Sequence, residues 1–193
     1  MIAIIDYGAG NLKSVKNALD YLKVGSVITG NPEDISQADR LILPGDGSFG
    51  FLMKSLRAKG LISPIKKFIR SGNPFLGICL GMQALFEKSE ESPGIKGLCI
   101  FKGKVIKFRN GKVPQIGWNQ VIPKKNGIFR NDLMYFVNSY YVMPRDKDII
   151  AATSGYNVDF VSAIQSNNIT AMQFHPEKSG KCGIKLLKRW LQC

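Results

Sequence analysis

Through the first 90 residues, short apolar runs alternate with amphipathic stretches. Ile2–Ile5 (IAII) reads as a buried strand, and Asn11 is placed to cap a helix carrying Leu12, Val15, Leu19 and Leu22 on one face. Val27 and Ile28 suggest a short second strand, and Leu41–Leu43 a third, stopped by Pro44-Gly45. Leu52, Leu56, Leu61, Ile65, Phe68 and Ile69 mark a helical region broken near Gly60. Phe75–Ile78 (FLGI) predicts a fourth strand running into Cys79 and a helix through about Lys88. Such alternation predicts a mostly parallel sheet with helices on both sides.

From about Leu98 the texture changes. Leu98–Phe101, Lys104–Phe108, Asn119–Ile122, Met134–Val137, Tyr140–Met143, Ile149–Thr153, Val161–Gln165 and Thr170–Phe174 are short and β-prone, with Gly, Asn and Pro between them. A closing helix from about Ser179 carries Ile184, Leu187 and Leu191 on one face. The fold class expected is α/β: an open mixed sheet flanked by helices, with the strand-rich half continuing the sheet of the first.

Composition narrows the class. At 193 residues, 45% of them hydrophobic, the chain suits one domain over residues 1–193. With 27 Lys and Arg against 14 Asp and Glu, the net charge is +13, which raises polyanions or an acidic protein as partners. The single histidine, His175, excludes any site that needs two. Cys79, Cys99, Cys182 and Cys193 form no CxxC, so a structural zinc site is not expected, nor any other metal. The start MIAIIDYG lacks the basic region of a signal peptide. No apolar run approaches the ~18–20 residues needed to cross a bilayer. The expectation is a cytoplasmic protein with free thiols and no membrane association.

Three segments carry candidate chemistry. In Gly77-Ile78-Cys79-Leu80-Gly81-Met82-Gln83, a nucleophile flanked by glycine at −2 and +2 sits between a strand and a helix, the elbow pattern with Cys for Ser. A helix N-terminus there favours the thiolate and leaves the Leu80 N–H to face an oxyanion. His175-Pro176-Glu177 follows a predicted strand and supplies the only imidazole able to exchange a proton with that thiol, with Glu177 placed to orient it. Pro44-Gly45-Asp46-Gly47 is a turn able to offer a second N–H. Taken singly, each also reads as ordinary structure: a buried cysteine, a core histidine, a βα turn. Together, Cys79 and His175 each supply what the other lacks.

In this order and spacing the three segments resemble class I (triad) glutamine amidotransferases. DYGAGNLKSV at 6–15, GICLGMQALFEKSEE at 77–91, GWN at 117–119, YFVNSYYV at 135–142 and QFHPEKSG at 173–180 are similar to the glutaminase subunits of imidazole glycerol phosphate synthase. The resemblance implies that Cys79 attacks the side-chain amide of L-glutamine, forming a thioester and releasing ammonia. His175, oriented by Glu177, would protonate the leaving nitrogen and then activate water. Leu80 N–H and an N–H of the Asp46–Gly47 turn would form the oxyanion hole. Gly47, Gln83, Glu91, Ser139 and Tyr140 match glutamine-binding positions, and no cofactor is implied. The implied partner is a separate (β/α)₈-barrel cyclase subunit in a heterodimer, which uses the ammonia to make imidazole glycerol phosphate and an aminoimidazole carboxamide nucleotide in histidine biosynthesis. Asn11 and Trp118 match interface positions, and Gln115 lies in the segment expected to face the partner.

The chain departs from that family at three positions. Asp46 stands where a small apolar residue is usual, and Gln115 and Asn138 stand where histidine is usual. An ionised carboxylate beside a developing oxyanion opposes catalysis, so Asp46 is expected to point to solvent or to the partner. Three other readings stand beside the leading one. A paralogous glutaminase could feed a different synthase, for instance in surface-sugar amidation. A Cys–His hydrolase could use the same elbow, although Gln83, Glu91 and HPE fit a small amino-acid substrate better. Nucleic-acid binding would account for the +13, but no recognised motif accompanies it.

Overall fold

The computed structural model describes residues 1–192; Cys193 lies outside the described residues. Strand β1 (Ile2–Ile5) is buried at every position, as an apolar run without polar alternation requires. It lies between β2 (Ser26–Thr29) and β3 (Arg40–Leu43), both parallel to it, with Ile4 opposite Ile28 and Ile42. β4 (Phe75–Ile78) pairs with β3, and β12 (Ile169–Met172) with β4, completing the parallel order β2–β1–β3–β4–β12.

Alternate residues of these strands feed two cores. Ala3, Ile5, Leu41 and Leu43 pack with Ile35 of α2 (Pro32–Gln37), Leu52 and Leu56 of α3 (Phe49–Ala58), and Ile65 of α4 (Ile62–Arg70). Ile2, Ile4, Ile42, Leu76 and Ile78 pack with Val15 and Leu19 of α1 (Leu12–Tyr21) and with Leu186, Leu187 and Trp190 of α6 (Gly180–Leu191). Helix α2 is too short for its periodicity to be read. Asn31 caps it by accepting from Glu33 N–H, and Pro32 opens its first turn.

The second half extends the same sheet. β11 (Asp159–Ser166) runs antiparallel to β12, followed by β10 (Ile150–Gly155), β7 (Gln115–Pro123) and the edge strand β8 (Asp132–Asn138). β9 (Tyr140–Pro144), β6 (Gly103–Lys107) and the two-residue β5 (Lys88–Ser89) branch from β11. The open mixed sheet with flanking helices is the expected fold class.

Two local expectations are corrected. The helix after Cys79 is a single turn, α5 (Leu80–Gln83), rather than one reaching Lys88. Leu98–Phe101 is not a strand: Leu98 N–H donates to Ala84 O, and Ile100 and Phe101 N–H donate to Leu85 O. That segment satisfies carbonyls left open where α5 ends, so each correction explains the other. Cys79, Cys99 and Cys182 are free thiols, and no helix among the described residues is long and apolar enough to cross a membrane.

Candidate active site

Cys79 links β4 to α5 at φ 52° and ψ −109°, a left-handed conformation that costs a non-glycine residue about 1–3 kcal/mol. Its N–H donates to Met172 O at 2.7 Å, so strand pairing continues into the turn and holds it there. Close approach sets the flanking residues. A methyl group at Gly81 would collide with the Leu43 carbonyl, and one at Gly45 would sit 2.6 Å from Leu80 Cα. Glycine at these positions lets the turn after β3 pack directly on the elbow. As the first residue of α5, Leu80 has an N–H without an intrahelical acceptor, pointing from the helix start. With only one turn behind it, that N–H acts locally and a helix dipole adds little.

The partner of Cys79 arrives on the neighbouring strand. Met172 of β12 pairs with Ile78 of β4, so the loop after β12 emerges beside the elbow. There His175 is buried at 4% exposure, with Nδ1 2.7 Å from Glu177 Oε1. This leaves Nε2 for the hydrogen bond that the ring shares with Cys79. His175 N–H donates to Tyr135 O, and Ser179 Oγ bridges His175 O and Tyr135 N–H, tying the loop to β8. Burial alone would lower the imidazole pKa. The negative charge and hydrogen bond of Cys79, and then those of Glu177, outweigh it and raise the pKa to about 10. The site therefore favours a protonated imidazole beside Cys79.

Gln173, also buried, donates from Nε2 to Cys79 Sγ at 3.4 Å. It is held in turn by Gln83, whose Nε2 donates to Gln173 Oε1 at 3.0 Å and to Tyr140 O at 3.2 Å. Gln83 thus supports the thiol's hydrogen-bond shell while lining the pocket, and its amide N–H groups are committed to protein. The motif reading passed over Gln173 because its only signal was its place two residues before His175.

The turn after β3 is arranged differently from expectation. The Asp46 side chain is exposed, but its Oδ1 turns back to accept from Gly47 N–H at 3.2 Å. Asp46 N–H donates to the Tyr7 hydroxyl at 2.9 Å. Both N–H groups of the Asp46–Gly47 turn are therefore occupied, and only the Leu80 side of the expected oxyanion hole is open.

Around these groups lies a pocket of about 230 Å³, below the ~300–1,000 Å³ typical of drug-sized ligands. Its walls bring together Gly47, Leu80, Gln83, Glu91, Ser139 and Tyr140 with Cys79 and His175, and add Pro114, Val137, Asn138 and Lys178. Glu91 Oε2 accepts from Phe49 N–H at 2.6 Å, fixing the carboxylate against the start of α3 and leaving its other oxygen for a cation. Burial first, and then the charge of Glu91, raise the Tyr140 pKa. Lys178, three residues after His175, places a cation at the pocket that the motif reading did not assign. Among the described residues no group of three or more His, Cys, Asp or Glu is arranged to hold a metal ion.

The three expected interface residues fall in different settings. Asn11 caps α1, accepting from Ser14 Oγ at 2.7 Å. Trp118 is 57% exposed on the outer face of β7, with Ile116 at 62% and Leu133 of β8 at 56% beside it. Gln115 is corrected: at 3% exposure it lies on the inner face of β7, opposite Asn138, and cannot present itself to a partner. Its segment reaches the surface, but strand alternation turns residue 115 inward and residues 116 and 118 outward.

The family described as "Glutamine amidotransferase class-I" matches residues 3–192. Among curated relatives, "Imidazole glycerol phosphate synthase subunit HisH 1" of Methanococcus maripaludis is 48% identical over 202 residues, covering 100% of this chain and 99% of its own. "Imidazole glycerol phosphate synthase subunit HisH" of Pyrococcus furiosus is 50% identical over 199 residues, covering 98% and 97%. In fold, the chain is similar to a crystal structure of a glutamine amidotransferase, with a TM-score of 0.79 at 18% identity and coverage of 100% and 98%. PurLQS from Thermotoga maritima superposes with a TM-score of 0.78 at 19% identity, covering 99% and 97%.

Proposed function

The chain belongs to the class I glutamine amidotransferase family, and from that premise we propose that it is the glutaminase subunit of an imidazole glycerol phosphate synthase, acting in histidine biosynthesis. The observation that carries this reading is the buried Cys79–His175–Glu177 constellation beside a pocket that Cys79, His175 and Glu91 line together. Glutamine fits that polarity: its α-ammonium pairs with Glu91 while its side-chain amide reaches the thiol.

The Cys79 thiolate attacks the amide carbon, and negative charge builds on the carbonyl oxygen beside Leu80 N–H. As the tetrahedral intermediate collapses, the C–N bond breaks and the His175 imidazolium gives its proton to the leaving nitrogen, releasing ammonia. Neutral His175 then takes a proton from water, which attacks the thioester, giving glutamate and regenerating the thiolate facing the imidazolium. Glu177 holds Nδ1 throughout, so Nε2 is the atom that exchanges the proton.

The ammonia passes to a (β/α)₈-barrel cyclase bound as a heterodimer. Two features support a partner on this side: the exposed Ile116–Trp118–Leu133 patch, and nine Lys or Arg without any Asp or Glu between Ser92 and Asn131. The cations suit an acidic partner surface or a bis-phosphorylated acceptor.

Glutamine hydrolysis measured with and without the cyclase and its nucleotide ligand tests the proposal. The cyclase with its ligand should raise turnover, and Cys79→Ala should abolish it. Equal activity of Cys79→Ala and wild type overturns the mechanism; stimulation by a different synthase alone overturns the assigned pathway.

A further inference from the structure

The chemistry and partner described above take up only part of the +13 charge, and one stretch of it lies elsewhere. Between Asp46 and Glu87 the chain carries six Lys or Arg and no Asp or Glu. Lys59 is engaged locally: its ammonium donates to Asp6 O at 3.0 Å and lies 3.9 Å from the Asp6 carboxylate. Four of the other five converge. On α4, Ile65, Phe68 and Ile69 face the core, so Ser63, Lys66, Lys67 and Arg70, spaced i, i+3, i+4 and i+7, form one outward stripe. Only residues 59–61 link α3 to α4, and this short turn brings Arg57, in the last turn of α3, to the same groove. The groove has a volume of about 580 Å³, inside the ~300–1,000 Å³ range of small-ligand sites, and Gly60 and Ile62 complete its lining. It shares no residue with the pocket at Cys79.

We propose that this groove is a binding site for a polyphosphate chain, such as that of a nucleoside triphosphate, separate from the active site and independent of the glutaminase reading. Two guanidinium and two ammonium groups offer donors from two helices, with the Ser63 hydroxyl among them, and a guanidinium grips phosphate oxygens in pairs. Among the described residues, no hydrogen bond or ion pair engages any of these five side chains. Elsewhere Lys16, Arg109 and Arg189 each face a carboxylate. Helix ends explain part of the pattern, since Arg57, Lys67 and Arg70 stand in last turns, where cations suit the helix dipole. They do not explain Lys66. Nor do they explain why Lys66 and Lys67 stand four and three residues before Arg70, spacings at which like charges repel. An anion with several charges turns that repulsion into attraction. No aromatic side chain lines the groove for a base to stack on, and its cations gather in one hollow rather than along a track. A short phosphate chain therefore fits it better than a nucleic-acid strand.

The test is titration calorimetry of the full chain with sodium tripolyphosphate and with ATP at physiological salt. Each should bind at one site per chain, and the thermal midpoint should rise with ligand concentration. Lys66→Gln combined with Arg70→Gln should weaken both ligands about tenfold or more, because it removes two charged donors from the groove. Lys102→Gln combined with Lys104→Gln removes equal charge from exposed positions beside β6, and should change affinity less than about twofold. Without ligand, the groove variant should unfold at the same or a higher urea concentration, since it sheds like-charge repulsion. A merely structural role would lower that midpoint and leave affinity unchanged, which overturns the proposal. If the double variant fails to fold, Arg70→Gln alone decides, with weakening of about threefold or more expected. Equal affinity for the two ligands assigns recognition to the phosphate chain, and tighter binding of ATP adds the nucleoside; either result supports the site. Equal losses in the two double variants would show diffuse attraction and overturn it. So would dissociation constants no tighter than about 1 mM for both ligands. Tighter binding of a single-stranded RNA about 12 nucleotides long, lost in the groove variant, would make this face a nucleic-acid track and also overturn the proposal.

Discussion

At the scale of single residues, the site depends on one strained backbone and one buried proton. Cys79 occupies a left-handed conformation because strand pairing to Met172 and the contacts at Gly45 and Gly81 leave the chain no other path. His175 holds its proton far above the ordinary imidazole range. A histidine whose folded pKa is raised contributes stability fully below about pH 6.5 and loses it as pH rises toward about 10. The urea midpoint should therefore fall across that window, and fall less in Cys79→Ala, because the thiolate is the largest of the effects that raise the pKa. Glu177→Gln leaves Nδ1 without its carboxylate. It should lower kcat by about 10²-fold or more with little change in KM, and shift the alkaline limb of kcat against pH downward. Cys79, His175 and Glu177 were legible because their motifs carry chemistry in their spacing. Gln173 and Tyr7 were not, since a glutamine near a strand end and a tyrosine after an apolar run look like scaffold until their hydrogen bonds are seen.

At the scale of elements, legibility followed periodicity. β1 and β4 coincide with the runs IAII and FLGI because each is buried on both faces and bounded by polar or turn residues. The stretch after Cys79 misled for the same reason. Leu80 through Phe86 are all buried, so no alternation marks where the helix stops, and the end is set by distant N–H groups of Leu98, Ile100 and Phe101. The seam between β3 and α6 was equally invisible. Arg40 opens β3 and reaches across 151 residues of sequence to donate to Leu191 O, while its guanidinium lies 5.5 Å from the centre of the Trp190 ring. It caps the carbonyl end of α6 and covers its aromatic anchor. Arg40→Ala should cost about 1–3 kcal/mol in urea unfolding, and Arg40→Lys should recover only part, since a lysine cannot reproduce the planar fork.

At the scale of the whole molecule, most of the +13 charge falls in the second half of the chain. The apolar patch around Trp118 lies on that half, at the edge of the sheet, on the face opposite the buried Gln115 and Asn138. A large exposed aromatic flanked by exposed Ile116 and Leu133 has the character of a binding hot spot. Trp118→Ala should weaken cyclase binding by about 2 kcal/mol or more, read by titration calorimetry, while leaving the urea midpoint of the free chain unchanged. The resemblance assigned Gln115 to the segment facing the partner, but the strand predicted from pattern began only at Asn119, so no alternation marked residue 115 as inward and residues 116 and 118 as outward. The pairing of β4 with β12 carries a different consequence. The thiol and the amide that supports it, Gln173, stand 94 residues apart in sequence and meet only once these two strands have closed the sheet. An emerging or half-folded chain therefore bears an ordinary cysteine, and the reactive nucleophile is itself a marker of completed synthesis and folding. A thiol-directed, glutamine-shaped electrophile applied during refolding would label Cys79 only in the last-formed species, giving a clock for the final step of assembly.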